Sequence, residues 1–294
     1  MTPWLQRLRT WLAEAGAENR SVLDEAIAGN LRRLRWMVPV VIALNLVHVG
    51  IFWWGFPPGS PAHNLWKHAI GWTHLVMSGW MAVLGVLAFA QSRQSQRGLL
   101  ARALHLFAPL SALLFAATIA TIDQLVTPNI SPFLLGCMFA SLLFQLRPTE
   151  VLALYAAGYG FFFFAIGATQ PDAALLLSNR VNGLTATLLG IFLSTVLWRK
   201  NVRYVLLQRE LSQRNQELTR QQEELLWLAK RDALTGLFNR GEFLRLAEVE
   251  LLRSLRHGTD MSAIMVDLDH FKKINDRYGH PAGDAVLKHT AACL

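Results

Sequence analysis

Asp267 and Asp269 alternate at the end of a short run, Ser262–Leu268, bounded by Gly258 and by the polar residues that follow. The run reads as a β-strand. Residues two apart on an extended backbone share a face, so the two carboxylates lie together at the strand's C-terminal end. That is a place to hold a hard cation, because Mg²⁺ takes oxygen ligands, commonly one or two carboxylates plus substrate phosphates. Lys272 follows where its ammonium can meet a phosphate. Asn275 offers both a donor and an acceptor, and the carboxylate of Asp284 accepts from N1–H and a 2-amino group, so the pair suits a guanine edge. Alone, Asp-x-Asp after a strand is a weak signal, more often structural or solvated than functional.

The elements that must position these groups are short. Gly241–Leu255 reads as a helix with Phe243, Leu244, Ala247, Leu251 and Leu255 on one stripe. Phe271–Tyr278 reads as a second helix ended by Gly279, and Ala282–Leu294 opens a third. The motifs run in fixed order. Asp232-Ala-Leu-Thr-Gly-Leu-Phe-Asn-Arg240 comes first, and Asp267-Leu-Asp-His-Phe-Lys-Lys-Ile-Asn275-Asp-Arg-Tyr-Gly-His280-Pro-Ala-Gly-Asp284 follows.

In that combination the segment resembles the first part of the GGDEF domain of diguanylate cyclases. The resemblance implies a fold similar to the nucleotide-cyclase palm, an antiparallel sheet flanked by helices. It implies condensation of two GTP into cyclic di-GMP and two pyrophosphates between two facing domains, with Mg²⁺ (or Mn²⁺). By motif position it implies that Asp267 ligates the metal through its side chain and Leu268 through its backbone carbonyl. Phe271 and Lys272 lie beside the triphosphate, with Lys272 also counted among the catalytic groups beside Asp267. Asn275 and Asp284 read guanine, and His280 borders the substrate. Asp232 and the Leu-Thr-Gly-Leu turn join the domain to what precedes it, with Arg240 stabilising the junction. Gly241 stands where the family often has a second Arg. The chain stops at Leu294, before the signature loop. The expectation is therefore an incomplete fragment, inactive by itself, with a catalytically inactive sensor or dimerisation protein as the alternative.

The rest of the chain is of another kind. Hydrophobic residues make up 53% and charged residues only 16%, which points to a membrane class. Six spans are expected as helices, at Trp36–Trp54, Ala69–Ala90, Leu104–Ile122, Ile130–Leu146, Val151–Ala168 and Val181–Trp198. No cleavable signal peptide is visible. Arg20, Arg32, Arg33, Arg35, Arg93, Arg97, Arg102, Arg147, Arg199, Lys200 and Arg203 flank one side, against Lys67 and Arg180 on the other. This puts both termini in the cytoplasm of a bacterial inner membrane and accounts for much of the net charge of +8 without nucleic acid. Trp53, Trp54, Trp66 and Trp72 mark the outer boundary, Trp36 and Trp198 the inner one.

Trp4, Leu5, Leu8, Trp11, Leu12 and Ala15 fit an amphipathic helix, either on the inner leaflet or against the cytoplasmic domain. Charged residues are almost absent from the spans, which disfavours a pump or transporter. His48, His74, His105, His63 and His68 read as isolated or hydrogen-bonded histidines, with a haem or copper site as the rival. Tyr155, Tyr159 and Phe161–Phe164 around Gly158 and Gly160 read as close helix packing rather than a ligand pocket. Cys137 and Cys293 form no disulfide framework.

Between the two parts, Tyr204, Leu211, Leu218 and Leu225 recur at heptad spacing, with Leu207, Arg214, Gln221 and Leu228 at the partner positions. A seam with a polar middle makes a marginal parallel dimer, favoured over a lone linker helix. The expected whole is a membrane all-α domain of six transmembrane helices, a coiled-coil connector and a partial α/β GGDEF domain resembling the palm. Its parts are residues 1–35, 36–198, 199–231 and 232–294. Its partners are GTP, the lipid bilayer and a second copy, met through the connector helix and the catalytic faces.

Overall fold

The computed structural model describes residues 3–92 and 98–294, with side chains from residue 16 onward except 17, 18 and 20. The amphipathic face of the first residues and the charges of Arg93 and Arg97 lie outside the described residues. The chain divides into two units, residues 1–207 and 208–294.

Among the described residues the regular elements of the first unit are helices: α1 Pro3–Trp54, α2 Pro61–Ser92, α3 Leu99–Asp123, α4 Ser131–Leu143, α5 Pro148–Ile166, and the N-terminal part of α6 Ala173–Lys230. Five of these helices are long and apolar enough to cross a membrane; α4 is a shorter apolar helix. The first span is no separate element, since helix α1 runs unbroken from the N-terminal segment through Trp54. Val22 and Ala26 of that stretch pack on Trp198, Val202 and Val205 of α6, where the Trp198 indole N–H donates to Asn19 at 2.7 Å.

The fourth expected span is shortened. Helix α4 has 13 residues, a rise of roughly 20 Å against a hydrocarbon core of about 30 Å. It ends at Phe144, which turns extended (ψ 128°), and Arg147 is extended as well (ψ 151°). Pro148 accounts for Arg147, since proline disfavours the helical region for the residue before it. The earlier break is made by side chains from α1. Asn30, 0% exposed, accepts from the Gln145 N–H and donates to the Gln145 carbonyl, both at 3.0 Å, and Arg33 donates to the Leu143 carbonyl at 3.1 Å. Non-helical backbone is thus paired inside protein, the condition for its survival at membrane depth.

The Asn30 amide is assigned without ambiguity, because its oxygen faces two N–H donors, Gln145 N and Arg33 Nη1. Its nitrogen then donates to His105 Nδ1 at 2.9 Å, so that nitrogen carries no proton and Nε2 donates to Glu150 at 3.3 Å. Glu150 also accepts from the Arg147 backbone N–H at 2.8 Å, closing the first turn of α5. His74 is hydrogen-bonded to Asn45, and among the described residues no three of His, Cys, Asp and Glu converge as metal ligands.

The core is built on close approach. Tyr155 lies over Gly190, Phe162 over Gly183, and Gly158 over Leu113; Phe133 and Phe162 stack at 4.1 Å. Of the aromatic run of α5, Tyr155 and Phe162 are buried in packing while Phe161 and Phe164 are exposed, and the Tyr155 hydroxyl donates to the Cys137 carbonyl at 2.6 Å. The two basic residues expected outside are tied to carbonyls, Lys67 to Phe56 and Arg180 to Phe163.

The second unit comprises the C-terminal part of α6, then α7 Arg240–His257, α8 Phe271–Tyr278 and α9 His280–Cys293. The expected strand is absent: Ser262–Leu268 has no ladder, and among the described residues the one β-bridge is Arg231 with Phe238. A strand exists by pairing, and this run has no neighbour to pair with, leaving Ile264 88% and Met265 98% exposed. The heptad residues Leu211, Leu218 and Leu225 form an exposed stripe, while Arg214 and Gln221 bond within the helix to Glu210 and Glu217.

Candidate functional site

The site is framed by a tied junction and a helical hairpin. In the junction, the Asp232 carboxylate accepts from Leu234 N–H at 3.2 Å, Thr235 N–H at 2.9 Å and the Thr235 hydroxyl at 2.8 Å. These bonds, the Thr235 backbone first, hold Asp232 below the usual carboxylate range. Gly236 takes φ 71°, a left-handed turn that glycine adopts without strain. Arg231 donates to the Gly236 carbonyl and lies over the Phe238 ring at 4.9 Å.

Asn239 caps α7 by accepting from Glu242 N–H at 3.0 Å, and its amide donates to Ala229 O at 2.6 Å, tying α7 to the end of α6. Glu242 pairs with Arg245 at 2.7 Å and with Lys230 at 3.4 Å. The contacts that hold the junction are made by Lys230, Arg231, Asn239, Glu242 and Arg245.

The Arg245 guanidinium, aided by Lys230, draws Glu242 down from 4.5 to about 2. A depressed carboxylate stabilises the folded junction above its ordinary range, and the contribution falls away as pH drops from about 4.5 towards 2. Protection of the Glu242 and Phe243 amides against hydrogen exchange is expected to fall across that window, and Glu242→Gln to flatten the dependence. Equal acid sensitivity in that variant contradicts the ion-pair account.

In the hairpin, Gly279 (φ 83°, ψ 163°) takes a conformation reserved for glycine, and its N–H closes α8 on the Asn275 carbonyl at 2.8 Å. This folds α9 back on α8, so that Gly283 faces Asn275 and the Phe271 ring. Asn275 Oδ1 is buried there with no hydrogen-bond partner. Asp267, Leu268 and Phe271 line a cavity of about 260 Å³ together with Thr235, Leu287 and Thr290. Lys272, His280 and Asp284 are exposed and do not line that cavity. The structure thus gathers Asp267, Leu268 and Phe271, sets Asn275 beside Phe271, and leaves the other three facing solvent. Gly283 enters the sequence reading only as the motif glycine before Asp284; its meeting with Asn275 comes from the fold.

Residues 229–294 match the family described as "Diguanylate cyclase, GGDEF domain". This segment is similar to the GGDEF domain. Relatives include Diguanylate cyclase DgcM of Escherichia coli, 44% identical over 78 residues (26% of this chain, 19% of the relative). DgcP of Pseudomonas aeruginosa is 50% identical over 63 residues (21% of this chain, 9% of the relative). DgcS of Shewanella oneidensis is 44% identical over 68 residues, 23% of each chain. The chain thus spans less than a quarter of the length of these curated relatives. The GGDEF segment carries every residue that the motifs singled out, from Asp232 to Asp284.

Proposed function

We propose that this chain is the membrane part and the GGDEF segment of a homodimeric diguanylate cyclase of the bacterial inner membrane, joining two GTP into cyclic di-GMP in response to a signal met by the first unit. The observation that carries the reading is the buried, unpartnered Oδ1 of Asn275 beside Phe271, an acceptor that a guanine N–H would satisfy. Asp284 would take the remaining guanine donors, and His280 would border the base. Lys272 would meet the triphosphate, with Phe271 alongside. The oxygen donors of the site suit a cation: Asp267 and Leu268 are adjacent and line one cavity, a donor set that fits Mg²⁺ or Mn²⁺ when phosphate and water complete it. The Asp267 carboxylate and Leu268 carbonyl would hold the ion, which when bound supplies charge neutralisation at the phosphates.

Six crossings remain the reading for the first unit. Helix α4 rises about 20 Å, and the non-helical residues 144–147 add at most about 13 Å if extended along it, an upper bound near the thickness of the core. An even number of crossings puts both termini on the cytoplasmic side with the Arg-rich segments. The parts read as residues 1–35 leading in, 36–198 sensing, 199–231 connecting and 232–294 catalytic. The exposed stripe of Leu211, Leu218 and Leu225 suits a second copy in parallel. The basic residues sit at span ends, so no nucleic acid is invoked.

The test is to purify the protein as its gene encodes it, in detergent, and supply GTP with Mg²⁺. Cyclic di-GMP is the expected product, and chelation of the metal stops its formation. A dimer that turns over no GTP under these conditions overturns the proposal.

A further inference from the structure

Between α1, α2, α3 and α4 the first unit encloses a cavity of about 520 Å³, a volume typical of small-molecule sites. Its wall is mostly apolar and includes Met37, Met77, Met81 and Phe115, thioethers being able to adapt to irregular ligands. Its rim includes Leu44 of α1 and Leu135 of α4, both more than half exposed. The opening therefore lies on the apolar flank, where a solute enters from the bilayer rather than from water.

Polar groups break this wall at two places: Asp123, which accepts from the Trp66 indole at 3.0 Å, and the group of Asn45, His74 and His48. Asn45 lines the cavity, is 5% exposed and sits in the span of α1. Its Oδ1 accepts from His74 Nδ1 at 2.6 Å, and His74 is held by stacking on His48 with centroids 4.5 Å apart. Asn45 Nδ2 is buried without any partner. An amide donor left unpaired in an apolar site is costly, and such groups persist where something satisfies them. Among the described residues the other orphaned groups of the first unit, on Trp53 and Thr187, do not line this cavity.

We propose that this cavity binds a membrane-soluble molecule with an apolar body and one carbonyl-type oxygen, which accepts a hydrogen bond from Asn45 Nδ2. The methionines, Phe115 and the α1–α4 opening select the apolar body, and the fixed Asn45–His74 pair selects the oxygen. The proposal concerns binding in the first unit and stands whether or not the GGDEF segment is active.

The test uses the full chain in lipid nanodiscs and benzophenone, an aromatic ketone that attaches to nearby C–H bonds when irradiated. Saturable labelling is expected on peptides carrying Met37, Met77 and Met81. Dibenzyl ketone is expected to displace the label about tenfold better than the hydrocarbon in which its carbonyl is a methylene. Asn45→Leu should erase that preference while labelling persists. Ala112→Phe, which fills the cavity from α3 and leaves Asn45 in place, should abolish saturable labelling. Labelling that never saturates or spreads over lipid-facing residues means bilayer partition only. That result, or equal displacement by the ketone and its hydrocarbon analogue, overturns the proposal.

Discussion

Exchanging Asn30 for leucine is expected to destabilise the first unit by about 3–5 kcal/mol, although the two side chains have nearly the same size. Asn30 satisfies the Gln145 N–H, the Gln145 carbonyl and His105 Nδ1 at once. Leucine pairs with none of them, and the two backbone groups belong to a non-helical stretch that has no helical partner to fall back on. Asn30 is 0% exposed, so water does not readily substitute. The melting midpoint in detergent is expected to drop by roughly 10 °C. Asn201→Ala is the control, because Asn201 accepts only from the Gln145 side chain at 2.8 Å, in a half-buried position. It is expected to cost about 1 kcal/mol. Equal melting of Asn30→Leu and the wild type, or equal losses in the two variants, refutes the account of how α4 ends.

The same residue explains what was legible in the sequence and what was not. Hydropathy runs on without interruption from Ile130 to Leu146, so a window sees one span. The helix stops at Leu143 because a side chain 115 residues away captures the backbone of Gln145. No local pattern carries that information, and Asn30 by itself reads as an ordinary polar residue before a span. Proline gave the local part, the extended Arg147. Helix α8 was readable to the residue, since Gly279 ends it by backbone geometry alone. The strand expected at Ser262–Leu268 failed for the opposite reason to α4. Its composition is that of a strand, but a ladder depends on a neighbour and not on the run itself. The stripe of Leu211, Leu218 and Leu225 is legible in both, as a heptad in the sequence and as exposed apolar surface in the fold. In the site, Asp267, Leu268 and Phe271, neighbours in the chain, line one cavity. The meeting of Asn275 with Gly283 needed the turn at Gly279, which reverses the chain and brings the two face to face.

That meeting yields a second large effect. Gly283→Ala is expected to weaken GTP binding by roughly 100-fold and leave the second unit folded. A Cβ at position 283 would overlap Asn275 Oδ1 and stand 3.2 Å from the Phe271 ring. The amide of Asn275 is the free end of a flexible side chain, so it swings away and the α8–α9 hairpin persists. What is lost is the placed acceptor. If Asn275 reads guanine, the preference for GTP over ATP collapses with it, because a site built to hydrogen-bond one base discriminates through groups left unpaired by the other. ATP binding should hardly change. The sharper comparison adds Asn275→Ala. If alanine at 283 acts by displacing Asn275, the double variant binds GTP no worse than Asn275→Ala alone, a coupling expected only of residues that act as one unit. Additive losses would mean that Gly283 serves the hairpin and not the acceptor, and GTP affinity unchanged in Gly283→Ala would remove Asn275 from the guanine site.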